Sequence, residues 1–428
     1  MGKSYGILRV ASNAEIEASQ KNEIDFLKDE VVESALSAHI RKVWTINRQS
    51  KETIENEMLN CLRQKKGEYD PQTLANIREQ GGSEIYMKLT TTKVRAAISW
   101  IRDIIGEERP WGLEPTPMPE LPSWAVKGII EKIKAEMQPG MSEEQMMERA
   151  AVMRDAALKA MREIARDASD RMELKCEDQM AEGGWDDTME DFVDDFCTFS
   201  AAFIKGPIME KKHTLKWGEM SQGSMTPVVK EEIAMVFKRV SPFDIYPSPD
   251  ATKIDDGNLI ERERYSRGEI YALRGQKGYN DDAIEGVLDQ YGRSGLKDWL
   301  WRDYERAQLE GKENWWLRSD SNTIDGLHYY GSAQGVVLLE WGVNPKLIED
   351  PLADYEIDAI LIGTHVIRAV LNKDPLKRRP YRKACYQNVP GSFWGLSIPY
   401  LMRIRECVMR LVARWPITLA FHRAHRLR

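Results

Sequence analysis

"AAFIKGPIMEKKHTLKWG", residues 201–218, is where this chain changes its period. Ahead of it, apolar residues recur at three- and four-residue intervals. From it onward, β-branched residues, alternation and turn punctuation take over, in "VVKEEIAMVFKRVSPFDIYPSPDA" (228–251) and "NLIERERY" (258–265). A helical patch interrupts the run at 281–306, and the strand texture returns in "GVVLLEWG" (335–342), "YEIDAILIGTHVIRAVLN" (355–372) and "RRPYRKACYQNV" (378–389). Helices gathered first and strands afterwards, with no strict βαβ alternation, predict an α+β fold with an antiparallel β region. The expected division is helical over 23–200 and β-rich over 201–390, with the helical insert at 281–306.

Toward the N-terminus, residues 1–22 form a polar leader, expected to be mobile. A charged helical stretch follows to "RQKKGEYDP" (63–71), where Gly67 and Pro71 mark a break. In "TTTKVRAAISWIRDIIG" (90–106), Val94, Ala97, Ile98, Ile101, Ile104 and Ile105 lie on one helical face, with threonine cap candidates before them and Gly106 after. That face is expected to be core. "ERPWGLEPTPMPELP" (108–122) is too rich in proline for a helix and reads as an extended crossing. Two more helices are split at "QPGMS" (138–142). The second opens with Ser142 and Gln145 at capping-box spacing and carries Met146, Ala150, Met153, Ala157, Ala160 and Ile164 as a stripe suited to core or subunit interface.

With 428 residues, 42% hydrophobic and 30% charged, the chain can bury a large core, and its length suits roughly two to three domains. No run approaches the ~20 apolar residues of a membrane span, and the N-terminus lacks the order of a secretion signal, so no membrane partner is expected. Five scattered cysteines outline neither a disulfide framework nor a zinc site and point to a reducing compartment. The net charge of −7 argues against a surface built simply to grip nucleic acid. Tryptophans spread from Trp100 to Trp394 are expected mostly in the core, the remainder at subunit contacts.

Catalytic signatures are sparse. There is no phosphate-binding loop, no dinucleotide fingerprint and no nucleophile elbow, and His422 and His425 are the one close pair among six histidines, with no third ligand type beside them, so neither cofactor nor resident metal is expected. The strongest exception is "WDDTMEDFVDDFCTF" (185–199), in which Asp187, Asp191, Asp194 and Asp195 are placed on one helical face. Carboxylates so spaced could hold Mg²⁺ for phosphodiester cleavage, which makes a Mg²⁺-dependent nuclease the alternative function. The simpler account is an amphipathic helix with Trp185, Met189, Phe192 and Phe196 inward and the acids solvated. "PDATK" (249–253) would need a second acidic-x-Lys element nearby, and "IERERY" supplies glutamate without the lysine. The basic run "KDPLKRRPYRK" (373–383) reads as a solvated turn or subunit contact. An unrelated oligomeric scaffold is a third reading.

Four stretches in order resemble the portal, or head-to-tail connector, proteins of short-tailed double-stranded DNA phages. They are the segment from "EYDPQTLANIREQGG" through the proline run (68–122), "VSPFDIYPSPDA" (240–251), "YYGSAQGVVLLEWG" (329–342) and "NVPGSFWGLSIPYLMR" (388–403). The resemblance implies a homo-oligomeric ring of about twelve subunits at one capsid vertex. Genomic DNA would pass through it during packaging and ejection, and the terminase motor, coat, scaffold and tail adaptor proteins would dock on it. Catalysis would belong to none of its parts. The protein would be found in the virion, and in host cytoplasm during assembly. An acidic chain suits such a channel, because strong phosphate binders would stall a moving duplex.

By the same resemblance, residues 23–390 would form the wing, and "GSFWGLSIPYLMR" (391–403) would join it to the first stem helix. Gly391 and Gly395 would permit the turn, Phe393 and Trp394 would anchor it in the wing core, and Pro399 would sit in the first helical turn. From Ile404 to Arg428 the chain departs from the family: Pro416 interrupts an arginine-rich run and no clip or crown follows. The expectation is a truncated form whose basic tail arose by frameshift and whose ring closure is weakened. A native basic tail that binds nucleic acid or a membrane surface is the alternative.

Overall fold

The computed structural model describes residues 30–107, 112–115, 143–220, 224–297, 299, 303–311, 323–372 and 378–403. The leader, most of the proline-rich crossing and the basic tail beyond 403 lie outside the described residues. Helices α1 (Glu30–Lys66), α2 (Pro71–Glu79), α3 (Leu89–Glu107), α4 (Glu143–Glu182) and α5 (Trp185–Thr198) precede the strands. Then come β1 (Ala202–Met220), β2 (Ser224–Val240), β3 (Ile245–Pro247), β4 (Leu259–Tyr265), α6 (Arg267–Ala272), α7 (Asp281–Tyr291), α8 (Asp303–Leu309), β5 (Ile324–Gln334), α9 (Gly335–Glu340), β6 (Asp354–Ile362), β7 (His365–Leu371) and β8 (Tyr381–Ala384). The fold is α+β with antiparallel sheets.

Two sheets organise the β region. The long β1–β2 hairpin takes β8 on its other side to give the order β2-β1-β8, and the larger sheet has the order β3-β4-β5-β6-β7, every pairing antiparallel. The larger sheet is covered on both faces. Val32, Leu36, Ile40, Val43 and Trp44 of α1 pack with Tyr246, Leu327, Tyr329, Ala359 and Leu361, whereas Ile270, Ile284 and Val287 of α6 and α7 pack with Ile324, Ile360, Ile362 and Ile367. Residues 359 and 361 thus face one layer and 360 and 362 the other, which is the two-residue pleat read directly as burial. The helical insert expected at 281–306 is two separate helices, α7 and α8.

The core stripe of α1 carries a polar interlude. Its buried positions run 32, 36, 40, 43, 44, 47, 51, 55, 58, 59, 61 and 62, mostly at helical spacing, and three of them are Asn47, Lys51 and Glu55. Those polar residues meet the turn before β3. The Asn47 amide donates to Tyr246 O (3.2 Å), and the Lys51 ammonium donates to Pro242 O and Phe243 O (both 2.7 Å). Burial pushes Lys51 down to about 7.

Two expected apolar faces are narrower than their sequence patterns. In α3, Val94 and Ile98 are buried against Val193, Cys197 and Ile398, with Ala97, Ile101 and Ile105 at the margin, but Ile104 is 74% exposed. Trp100 is 69% exposed, so it is not core in this chain. In α4, Ala160 and Ile164 of the expected stripe are exposed. No helix among the described residues is long and apolar enough to cross a membrane.

Candidate functional site

The 388–403 segment forms a compact turn against the root of the hairpin. Phe393 is buried, its ring parallel to Phe203 of β1 (centroids 6.0 Å apart), and Trp394 meets the same Phe203 edge-on at 5.9 Å. The Lys383 ammonium lies 4.1 Å from the Phe393 ring centre and donates to Phe393 O (2.7 Å). The two glycines have different reasons to be glycine. Gly391 has φ +76° with open space around it, a turn that a side chain would strain. Gly395 is needed for close approach, since a Cβ there would stand 2.5 Å from Gln387 O and 2.6 Å from the Cys385 Cβ. Its N–H donates to Ser200 O (3.1 Å) and the next one, Leu396 N–H, to Gln387 O (2.8 Å).

A helical turn then begins, covering 398–403. Ser397 caps it: its hydroxyl accepts from Tyr400 N–H (3.2 Å) and its carbonyl from Leu401 N–H (3.0 Å). Pro399 sits within this first turn, where its missing N–H costs nothing. The five residues expected at the join are therefore gathered in one place, with Phe393 in the core and Trp394 packed at its edge.

Sequence reasoning missed two buried ion networks, one on each side of β4. On one side, Glu261 and Glu263 both accept from the Lys205 ammonium of β1, Tyr381 of β8 donates to Glu261, and Tyr265 donates to Glu263. His328 of β5 continues the chain, with Nδ1 3.1 Å from Glu263 Oε1 and Nε2 2.6 Å from Asp358 Oδ1 of β6. Arg368 of β7 closes it on Asp358 Oδ2 (3.2 and 3.3 Å). On the other side, Arg262 bonds Asp244 and Asp303 Oδ1 (3.0 Å), Arg264 bonds Asp303, and Arg306 reaches Asp244 (3.4 Å). The sequence signal was the alternation Glu-Arg-Glu-Arg inside a strand. It means that oppositely charged residues face opposite layers.

Ionisation follows from these contacts. Burial opposes the charge on Glu263, but Lys205 and His328 hold its carboxyl far below the usual range. Burial likewise opposes Asp358, yet His328 and Arg368 hold it down to about 2. Burial dominates at Glu261 and pushes it up to about 7 although Lys205 works against the shift.

Among the described residues, Glu261, Glu263 and His328 are the one group whose ligand-type atoms lie close enough together to share a metal ion. The Lys205 ammonium already stands between both carboxylates, supplying the positive charge a metal would bring, and two tyrosine hydroxyls take further lone pairs. The site is filled by its own side chains.

The acidic helix does not converge. Asp187 and Asp191 are exposed, Asp194 pairs with Lys65 (2.6 Å), and Asp195 turns inward, 1% exposed, into a two-bond pair with Arg239 (2.7 and 2.8 Å). The expectation that Asp195 shares the solvated face is corrected: one residue beyond Asp194, it points about 100° further round the helix. Asp250 and Lys253 of "PDATK" are exposed, Asp250 bonded to Ser248. In the basic run, Arg379 is 2% exposed and donates to Glu356 Oε1 (2.8 Å), Ile254 O (2.7 Å) and Gly257 O, a structural clamp in place of a solvated turn.

The chain matches no protein-family model and no curated protein sequence.

Proposed function

We propose that this chain is a structural portal subunit, part of a homo-oligomeric ring at a capsid vertex through which double-stranded DNA is packaged and ejected, and on which terminase, coat, scaffold and tail adaptor proteins dock. One observation supports the reading above others. Three of the four resembling stretches, 240–251, 329–342 and 388–403, come together in a single buried cluster through Val240, Ile245, Ala251, Tyr330 and Phe393. The fourth, through Val94 and Ile98 of α3, packs on Ile398 in the closing helical turn. Phrases far apart in sequence thus serve one piece of architecture, the seat of the final helix. On this reading residues 23–390 are the wing, and Gly391, Phe393, Trp394, Gly395 and Pro399 set the angle at which the stem leaves it.

The reading has a direct test. Particles of the phage or prophage that carries this gene, purified and digested with trypsin, should yield peptides of this chain at a small fraction of the coat protein's abundance. Particles that lack the chain overturn the proposal. Purified protein incubated with plasmid and Mg²⁺ should leave the DNA intact. Cleavage that is lost in Asp191→Ala would replace the structural role with a nuclease.

A further inference from the structure

The His328 ring stands between two carboxylates. Its Nδ1 is 3.1 Å from Glu263 Oε1 and its Nε2 is 2.6 Å from Asp358 Oδ1. A carboxylate oxygen can only accept, so both contacts are hydrogen bonds only when both ring nitrogens carry protons. A neutral imidazole has one N–H and would turn a lone pair toward one of the two acids. We propose that His328 is held as an imidazolium and that its second proton is a pH-sensitive latch tying β5 to both of its neighbours, β4 and β6, within the larger sheet.

Charged and aromatic groups face the ring from every packed strand, the acids favouring its charge and the Lys205 ammonium opposing it. From β1 comes the Lys205 ammonium, 3.4 Å from Nδ1; from β4 come Glu263 and, through the shared lysine, Glu261; from β6 comes Asp358. From β7 Arg368 bonds Asp358, and Tyr279 lies beneath the Arg368 guanidinium at 5.0 Å. Tyr330 of β5 stacks on the imidazole at 4.4 Å, and Tyr381 of β8 donates to Glu261. With an imidazolium, and with Glu261 ionised above about 7, the cations His328, Lys205 and Arg368 face the anions Glu261, Glu263 and Asp358. A neutral ring leaves the buried cluster one negative charge in excess. Burial works against the charge on His328, but Glu263 and Asp358 prevail and raise it above the ordinary histidine value.

The chain of contacts runs Arg368, Asp358, His328, Glu263, Lys205, and so from β7 to β1. Loss of the Nδ1 proton breaks it between His328 and Glu263, and loss of the Nε2 proton breaks it between His328 and Asp358. In either case β5 loses one of its two side-chain ties to the neighbouring strands, while the bonds from Lys205 to Glu261 and Glu263 stay in place. This inference does not depend on the portal reading.

The test uses the full chain labelled with [15N]histidine, whose ring nitrogens report their own protonation. His328→Gln assigns the resonance among the six histidines. At about pH 7.5, where an ordinary histidine (pKa ~6.5) is mostly neutral, the His328 ring should carry both protons, and Asp358→Asn should move its midpoint downward. A neutral tautomer at that pH overturns the proposal, as does an unmoved midpoint in Asp358→Asn. If His328→Gln does not fold, Asp358→Asn makes the assignment through the resonance it moves. Hydrogen exchange across β4 to β6, at 259–265, 324–334 and 354–362, corrected for intrinsic rates, reads the latch itself. Protection should drop as pH passes the His328 midpoint, and constant protection through it would show that the proton fastens nothing.

Discussion

Gly395→Ala should damage the join more than any other single-methyl change in it. The new Cβ would stand 2.5 Å from Gln387 O and 3.1 Å from Ser200 O, both backbone atoms that cannot rotate away. To make room, the chain must open the bonds from Leu396 N–H to Gln387 O (2.8 Å) and from Gly395 N–H to Ser200 O (3.1 Å). Two hydrogen bonds at about 1 kcal/mol each, with about 1 kcal/mol for overpacking, give a loss of about 3 kcal/mol. Gly391→Ala adds the same methyl in open space at φ +76°, where only the backbone conformation is disfavoured, and should cost about 1 kcal/mol. Urea unfolding followed by far-ultraviolet circular dichroism measures both losses. Trypsin cutting at Arg382 and Arg403 provides a local probe of the same segment. A cost below about 0.5 kcal/mol for Gly395→Ala, or a larger one for Gly391→Ala, would refute the assignment of close approach to one glycine and backbone freedom to the other.

Removing the buried acid in Asp195→Ala leaves Arg239 without its partner and should cost about 3 kcal/mol in urea unfolding, whereas Asp191→Ala on the exposed side should change the midpoint little. Stability should peak in mildly acid solution. Glu263 and Asp358 have depressed carboxyls, so their contribution is present above the unfolded value near ~4 and is lost as pH falls, for Asp358 toward about 2. Asp195 and Asp325, raised by burial to about 6, and Glu261, raised to about 7, bind protons more tightly when folded, so stability declines as pH climbs from ~4 through those values. Urea midpoints measured across this range check both limbs, and a midpoint rising steadily to neutrality would contradict the second. Trp100→Ser should leave the unfolding free energy in urea within about 0.5 kcal/mol of wild type, because the ring is 69% exposed, and on the proposed ring assembly it should weaken self-association in sedimentation.

The long helices were legible because their apolar periods are long, whereas "GVVLLEWG" (335–342), expected as strand, is the short helix α9, because so brief an apolar run does not tell helix from strand. α3 was placed within a residue or two, yet its face was drawn too wide. Periodicity tells which residues share a side but not how far the neighbouring surface extends, and α5 with the closing turn covers Val94 and Ile98 while leaving Ile104 in solvent. The turn at 391–399 could be picked out because a glycine, an aromatic pair and a proline are local signals. The networks beside β4 could not be assembled from sequence. Lys205 and Asp358 are far from Glu261 in the chain, and only strand register brings them to the same layer. The lysine that "IERERY" lacks locally comes from Lys205, across the sheet boundary.

The alternation in β4 also governs what insertions this protein can absorb. Most strands that slip by one residue lose apolar burial; this one would be forced into a collision of charges. A shift would bring Arg262 and Arg264 to Lys205 and Arg368, and would set Glu261 and Glu263 against Asp244, Asp303 and Asp325. The strand is keyed to one position as a plug is to a polarised socket. A residue added within 259–265 therefore has no sliding route to relief and must be expelled as a bulge, whereas the exposed turn at 252–253 can lengthen without touching the key.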